Sequence, residues 1–205
     1  MKLHQFPLSG NSHKIRLMLG LLGLPYEAIN VSGAQGQHKA PAFLAMNPFG
    51  QVPVLEDGDV VVRDSQAILV YLAQAYGAGK WWPQDAASAA AVVAWLSTAA
   101  NEVARGPNLL RLHHKFGRAI DVGAAVQVTQ SLLALLNEQL QKREWLVGSS
   151  ATIADVAIYP YIALAPEGQV DLAPYPHVLR WLDRVQALPG YVGMDGMAPA
   201  SPKTI

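Results

Sequence analysis

The chain has 205 residues, which is enough for one large domain or two small ones. Hydrophobic residues make up 51% and charged residues 15%, a balance that excludes an intrinsically disordered chain. Fifteen Lys and Arg residues match fifteen Asp and Glu residues, and the resulting zero net charge speaks against a nucleic-acid-binding protein. The sequence has no cysteine, which excludes disulfides, thiolate metal sites and a cysteine nucleophile.

The sequence carries no pattern for export or membrane insertion. Lys2 is followed by mixed polar residues, and Pro7 stands where a signal peptide needs an apolar stretch. The longest apolar run, residues 86–100, is interrupted by serine and threonine and is shorter than the roughly 20 residues of a membrane span. We therefore expect a soluble protein in a reducing, cytoplasmic compartment, with no membrane partner.

The first 76 residues alternate between strand and helix patterns. Strands are predicted over 2–6, 26–31, 52–56 and 60–63, the last two joined by the hairpin signal Asp57-Gly58. Helices are predicted over 11–22 and 41–46 and after Asp64-Ser65. The order β-α-β-α-β-β-α predicts a small α/β domain with one parallel strand pair and an antiparallel hairpin.

After the Gly- and Pro-containing linker "GAGKWWPQD", residues 77–85, no strand pattern appears. Helices are predicted over 86–105, 123–142, 152–164 and 176–188, with a break or kink at Gly106-Pro107. We therefore expect two domains, an α/β domain over residues 1–77 and an all-α domain over residues 86–205. The final stretch "MAPASPKTI" is expected to be a loosely held tail.

The stretch "SGNSHKIR", residues 9–16, places small polar groups at a predicted helix start. They can cap the helix, or Ser9 and Asn11 can donate hydrogen bonds to a bound anion. A thiol held there ionises more easily than in water. No G-x-S-x-G run occurs and Ser9 has no evident base, which favours Ser9 as a donor to a ligand's sulfur over Ser9 as a nucleophile. Capping remains open for Asn11 and Ser12.

Two later positions point to the same kind of ligand. Pro53 interrupts a strand pattern, and a cis Val52–Pro53 bond would let Val52 pair with an extended peptide; the alternative is an ordinary trans proline at a strand start. Asp64 and Ser65 begin a helix, which suits either a bound carboxylate or plain capping.

Two further patterns do not indicate a functional site. Thr152 and Asp155 have the spacing of a capping box, which is a structural role. The six histidines are scattered and form no metal set.

The stretches "SGNSHKIR", "NPFGQVPVL", "DSQAILVYL" and "WLVGSSATIADVAIYPY" together resemble those of cytosolic glutathione transferases of bacterial type, over essentially the whole chain. The resemblance implies a thioredoxin-like N-terminal domain, an all-α C-terminal domain, and glutathione as co-substrate. It places the glutathione sulfur at Ser9, with Asn11 and then Ser12 as the next candidates. It pairs the cysteinyl backbone with Val52, ahead of a cis Pro53, and places the γ-glutamyl carboxylate at Ser65, with Asp64 nearby. The glycyl carboxylate would meet Lys39, His38 or Gln51.

The resemblance also implies a symmetric homodimer and a role in detoxification, without metal. An electrophilic substrate is expected between the domains, and glutathione-dependent disulfide reduction or isomerisation, or binding without catalysis, are the alternatives. Neither a site tyrosine nor the beta-type cysteine is present near the N-terminus; Ser9 stands where that cysteine or the theta-type serine would fall. The residues expected to line the substrate site are Trp95, Thr98, Asn101, Arg105 and Leu109.

Overall fold

A computed structural model describes residues 1–197, and its first half follows the predicted order of strands and helices. Four short strands form one sheet, and three helices connect or follow them. The elements are β1 (Lys2–Gln5), α1 (Gly10–Leu22), β2 (Glu27–Asn30), α2 (Pro41–Met46), β3 (Val54–Asp57), β4 (Val60–Arg63) and α3 (Ser65–Tyr76).

The sheet has the strand order β2-β1-β3-β4. β1 and β2 are parallel, whereas β3 runs antiparallel to both β1 and β4. This arrangement confirms the predicted parallel pair and hairpin. β3 begins at Val54 and not at Val52 as predicted, because Pro53 has no N–H to donate to the ladder of a central strand.

Among its described residues, the second half contains helices and no strand. The predicted helix over 86–105 ends early, at Ala100. The hydroxyl groups of Ser97 and Thr98 donate to the carbonyl oxygens four residues earlier, which competes with the regular ladder at the end of the helix. The helices are α4 (Ala86–Ala100), α5 (Glu102–Arg105), α6 (Pro107–Phe116), α7 (Val122–Lys142), α8 (Ile153–Ala163) and α9 (Pro176–Gln186).

The predicted break at Gly106-Pro107 is present, and Pro107 takes the first position of α6, where a missing N–H costs nothing. Residues 77–85 carry neither helix nor strand. The division of the chain into domains at these residues stays a prediction.

α8 lies at the centre of the molecule, and all eleven of its residues are buried. It packs against α1 and α3 of the first half and against α4 of the second. Its N-terminus has the predicted capping box between Thr152 and Asp155. The Asp155 carboxylate also accepts hydrogen bonds from the Leu146 N–H at 3.0 Å and the Trp181 indole at 2.9 Å, which anchors α8 to its neighbours.

The apolar interior is shared by both halves. One cluster of buried side chains runs from Leu3 and Leu17 in the first half to Tyr159 and Trp181 in the second. No helix in residues 1–197 is long and apolar enough to cross a membrane. Except for Met197, the predicted tail lies outside the described residues.

Candidate active site

Ser9 is the N-cap residue of α1. Its Oγ accepts a hydrogen bond from the Ser12 backbone N–H at 3.2 Å, so the cap is Ser9 and not Asn11 or Ser12, the two residues for which capping was left open. Acting as an acceptor leaves the Ser9 hydroxyl proton free to be donated elsewhere. Ser12 is fully buried, and its Oγ accepts from the Phe6 N–H at 3.4 Å, so Ser12 faces the protein interior.

A cavity of about 320 Å³ opens beside Ser9, between the start of α1 and the helical half of the chain. We call it the Ser9 cavity. Most of its lining is apolar or aromatic, which suits an apolar substrate. Its lining residues are Phe6, Leu8, Ser9, Asn108, Arg111, Leu112, Phe116 and Tyr161.

Tyr161 brings a second hydroxyl group to Ser9 from α8. Its ring lies against Gly10, where an added Cβ would be only 2.6 Å from the ring carbon Cζ, so only glycine fits at this position. Burial raises the pKa of the Tyr161 hydroxyl, while hydrogen bonds from the Asn11 N–H, the Ser9 side chain and the Gly10 N–H act against that rise. Because these groups donate to the phenol oxygen, the Tyr161 proton is available to a ligand.

A second, smaller cavity of about 60 Å³ lies on the other side of the α1 start. We call it the Ser65 cavity. Asn11 lines this cavity and not the Ser9 cavity, so the two cavities adjoin the same helix turn. The Val52–Pro53 bond beside it is cis, as predicted. The structure thus brings six predicted site residues together here, with two others: Asn11, Asn47, Gln51, Val52, Pro53, Arg63, Asp64 and Ser65.

Asp64 takes the capping role at α3, so Ser65 is not needed for it. The Asp64 carboxylate accepts from the N–H groups of Gln66 and Ala67, at 2.8 and 3.2 Å. Asp64 has φ of +74°, a backbone conformation that is uncommon for residues other than glycine. The Ser65 hydroxyl donates to the Gln66 side-chain oxygen at 2.8 Å and lies beside the cavity.

A buried lysine stands behind the Ser65 cavity. The Lys14 ammonium group is fully buried and donates to the same Gln66 oxygen at 3.4 Å. Its nitrogen lies 5.7 Å from the centre of the Tyr161 ring. Burial lowers the pKa of Lys14 to about 7, and the Asp64 carboxylate acts against that fall. Lys14 therefore lies between the two cavities and changes its charge near neutral pH.

His38 and Lys39 lie on a short turn over Gln37–Lys39 and do not line the Ser65 cavity, although both adjoin Gly50, the residue before Gln51. The Lys39 ammonium group donates to the Phe49 carbonyl oxygen at 2.9 Å. The His38 ring meets the Phe6 ring edge-on, with centroids 5.6 Å apart. Of the three residues predicted for the glycyl carboxylate, only Gln51 lines the cavity.

The structure does not bring the predicted substrate residues to the Ser9 cavity. Trp95 and Thr98 line a separate groove of about 590 Å³ between α4 and α7, which we call the interhelical groove. Asn101 and Arg105 are exposed and contact each other at 3.4 Å, and Leu109 is half-buried outside the cavity. Because the helix breaks at residues 101 and 106, the wall of the cavity comes from α6 instead.

Several lining residues of the two cavities were not predicted, and Tyr161, Arg111 and Phe116 are the most important of them for the Ser9 cavity. Arg111 is buried on α6, where it donates from Nε to Glu167 at 2.6 Å and from Nη1 to the Leu8 carbonyl at 2.9 Å. In the sequence, nothing in the spacing of the residues around Arg111 distinguishes it from other cations on helices. Only packing against the start of α1 makes Arg111 and Tyr161 part of the site.

Comparison with known proteins assigns both halves of the chain to one family. The family model for the N-terminal domain of glutathione S-transferases matches residues 3–81. The model for the C-terminal domain of glutathione S-transferases matches residues 88–189.

Relatives at about one-third identity span nearly the whole chain. Glutathione S-transferase 3 of Zea mays is 32% identical, over 98% of this chain and 96% of the relative. The disulfide-bond oxidoreductase YfcG of Escherichia coli strain K12 is 30% identical, over 90% of this chain and 89% of the relative. The crystal structure of a glutathione S-transferase from Pseudomonas fluorescens superimposes with a TM-score of 0.87 at 33% identity, covering 95% and 98% of the two chains.

Proposed function

The chain belongs to the glutathione S-transferase family, and we propose that it holds glutathione across the start of α1, with the thiol at Ser9 and the γ-glutamyl end at Ser65. The protein is a glutathione transferase, which activates glutathione as a thiolate for attack on an electrophilic substrate. The observation that carries the assignment of the site is the pair of adjoining cavities, one with Ser9 and one with Asn11 and Ser65.

At the Ser65 end, a carboxylate would accept a hydrogen bond from the Ser65 hydroxyl, close to the positive end of the α3 dipole. This requires the Ser65 proton to turn from Gln66 to the ligand, after which Lys14 still bonds the Gln66 oxygen. The Asp64 carboxylate borders the cavity and can hold the ammonium group of the γ-glutamyl residue. Asn11, Gln51 and Val52 line the path of the peptide between the two ends.

At the Ser9 end, the hydroxyl groups of Ser9 and Tyr161 are the donors for the thiolate, assisted by the positive end of the α1 dipole. This requires the Ser9 proton to turn from the Tyr161 oxygen to the sulfur, after which the Asn11 and Gly10 N–H groups still donate to that oxygen. Ser12 faces inward and leaves the list of candidate donors. The thiol proton passes to solvent on ionisation. The sulfur lone pair then forms the new bond to the electrophilic atom, and the leaving group departs with the bonding electrons. The apolar wall of the Ser9 cavity would hold the electrophile.

Substitution of Ser65 by alanine tests the glutathione assignment. It removes a hydrogen bond to a charged carboxylate while Asp64 still caps α3, so we expect glutathione to bind about 1–3 kcal/mol more weakly, with little loss of stability. Titration calorimetry of both proteins measures the difference. Unchanged affinity, with an unchanged melting temperature, would show that Ser65 is not part of the glutathione site.

Disulfide reduction is the second candidate function. It is favoured by Asn11 beside Ser9 and by the similarity to a relative named as a disulfide-bond oxidoreductase. Because this chain has no cysteine, both exchanging thiols would come from glutathione, which is oxidised to its disulfide as the substrate disulfide is reduced. Parallel assays with an aryl halide and a small disulfide distinguish the two activities.

We further propose a homodimer in which Phe49 of one protomer enters the interhelical groove of its partner. Phe49 is 61% exposed and is the most exposed large apolar side chain of the first half. The groove is large and mainly apolar, and Leu135 at its edge is 55% exposed. Because a two-fold pairing repeats the contact, both protomers would cover both surfaces.

The cellular setting follows from the co-substrate. A reaction that consumes reduced glutathione requires a reducing compartment, so we propose the cytoplasm, with detoxification of electrophiles as the role. Cell fractionation followed by activity measurement checks the location.

A further inference from the structure

Arg111 has one nitrogen whose hydrogen-bonding capacity is unused. Its side chain is buried, with the residue 2% exposed. Nε donates to Glu167 and Nη1 to the Leu8 carbonyl oxygen, but Nη2 is buried with no partner among the residues that the structure describes. Leaving a buried donor without a partner is unfavourable, more so when it belongs to a charged group. A group that is absent from the protein itself is the natural partner for Nη2.

The Ser9 cavity is the open space beside this guanidinium. Arg111 lines the cavity together with Ser9, and no carboxylate is among the lining residues. Glu167, which accepts from Arg111 Nε, also accepts from the Lys115 ammonium group. Two cations therefore share one carboxylate, and the local charge remains positive.

The ring of Phe116 lies over the guanidinium of Arg111, a residue that is only 2% exposed. The ring centre lies 5.2 Å from the central carbon of the Arg111 guanidinium, and the ring forms part of the cavity wall. Charge interactions are stronger where water is excluded, so an anion that reaches Arg111 would be bound more firmly there than at an exposed lysine.

We propose that the electrophilic substrate carries a carboxylate, which Arg111 binds through Nη2 while the reacting atom lies beside Ser9. This inference rests on the proposed function, because it places the electrophile in the Ser9 cavity. It also addresses a difficulty of the reaction: a thiolate repels an anionic substrate, and Arg111 neutralises the substrate charge inside the cavity. The substrate class is thus acidic electrophiles of the size of a substituted benzoate.

A matched pair of aryl halides tests the proposal: a chloronitrobenzoate and the corresponding chloronitrobenzamide, which undergo the same substitution by glutathione. Each enzymatic kcat/KM is divided by the uncatalysed rate constant with glutathione, which removes the difference in intrinsic reactivity. We expect the wild-type protein to favour the benzoate by about tenfold or more. A ratio near one, with the benzamide turned over well, would overturn the inference and leave the proposed function intact.

Two variants test whether Arg111 is the residue that causes the preference for the benzoate. Arg111→Gln should bring the corrected ratio of the two kcat/KM values, benzoate over benzamide, down to about one, whatever its effect on the absolute rates. Lys115→Met is the matched control, because it removes a cation from the same Glu167 but does not line the cavity. A preference that survives in Arg111→Gln, or that disappears equally in Lys115→Met, would show that Arg111 is not the residue that binds the carboxylate.

Two further measurements keep the test decisive if Arg111→Gln misfolds or if the aryl halides react too slowly. The double variant Arg111→Gln/Glu167→Gln removes buried Arg111 together with its partly buried partner carboxylate, so that carboxylate is not left without its buried cation. Calorimetry with unreactive nitrobenzoate and nitrobenzamide, in the presence of glutathione, measures the same preference without turnover. Equal affinity of the wild-type protein for both compounds would overturn the proposal, whereas tighter binding of nitrobenzoate that is lost in the double variant would support it.

Discussion

Ser9 and Tyr161 lie on elements that are far apart in the chain, yet both hydroxyl groups face the start of α1. If each donates to the glutathione thiolate, removing either one should raise the pKa of the bound thiol by about one to two units. Tyr161→Phe removes only the hydroxyl group. Ser9→Gly removes the hydroxyl with a cost to capping of only a few tenths of a kcal/mol. Thiolate absorbance of the glutathione complex against pH measures both shifts.

Tyr159→Phe is the control for the tyrosine variant. Tyr159 is on the same helix and fully buried, but its hydroxyl is 2.8 Å from that of Tyr191 and does not line the Ser9 cavity. We expect this variant to lose some stability and to keep the thiol pKa. Identical titrations for Tyr161→Phe and Tyr159→Phe would remove Tyr161 from the set of donors.

Lys14 predicts how the stability of the free protein depends on pH. Burial lowers its pKa from 10.5 to about 7 in the folded state, so between these values the unfolded chain binds more protons at this side chain. The free energy of unfolding should therefore rise with pH between about 7 and 10.5, and it should stay lower at pH values below about 7. Denaturant unfolding of wild type and Lys14→Met at several pH values isolates the effect. Parallel curves for the two proteins would show that Lys14 does not titrate there.

At the level of elements, the packing of α1 against α8 depends on Gly10. A Cβ at this position would lie 2.6 Å from the Tyr161 ring, which is itself buried and cannot move aside freely. We expect Gly10→Ala to lower the free energy of unfolding by about 1–3 kcal/mol and to displace the Tyr161 hydroxyl. Denaturant unfolding and the thiolate titration report the two consequences separately.

Gly123→Ala is the matched control for that substitution. Gly123 is exposed in the first turn of α7, and an added Cβ would meet only the Asp121 side chain, at an ordinary 3.5 Å. Because alanine favours helix more than glycine does, stability should rise by up to about 1 kcal/mol. If both glycine variants were stabilised alike, the close contact between α1 and α8 would not constrain the residue at position 10.

Local patterns were sufficient to predict the first half of the fold. Asp57-Gly58 predicted the hairpin, Gly23 ended α1, and the apolar spacing of α3 predicted a helix from Ser65 onward. Each of these signals acts within a few residues of the element that it defines. Six of the eight residues that line the Ser65 cavity were among the predicted site residues, and apart from Asn11 these six lie directly before β3 or directly after β4. That they hold glutathione stays a prediction.

The Ser9 cavity could not be predicted in the same way. Tyr161 reaches it because α8 packs against α1, and Arg111 because it bonds the Leu8 carbonyl just before α1. Neither position differs in its local pattern from an ordinary core or surface residue. The expected wall around Trp95 and Thr98 assumed a helix that continues to Arg105. The actual helix ends at Ala100, and Trp95 and Thr98 lie on the face of α4 that lines the interhelical groove.

For the whole molecule, the proposed dimer makes Phe49 the decisive residue. Phe49→Ser should convert the dimer to monomers of 22.0 kDa, because it removes the apolar side chain proposed to fill the partner's groove. Light scattering at micromolar concentration measures the mass. Leu179→Ser on α9, which also replaces an exposed apolar residue, should leave the dimer intact. Monomeric wild-type protein would contradict the pairing altogether.

The central position of α8 has a consequence for synthesis on the ribosome. The strands and helices up to Tyr76 are made first, but α8, which covers α1 and α3, ends only at Ala163. At about 5–20 residues per second, the nascent first half therefore waits several seconds with two apolar helix faces uncovered. Chaperones that bind nascent chains should be recruited during this interval and released once α8 has emerged.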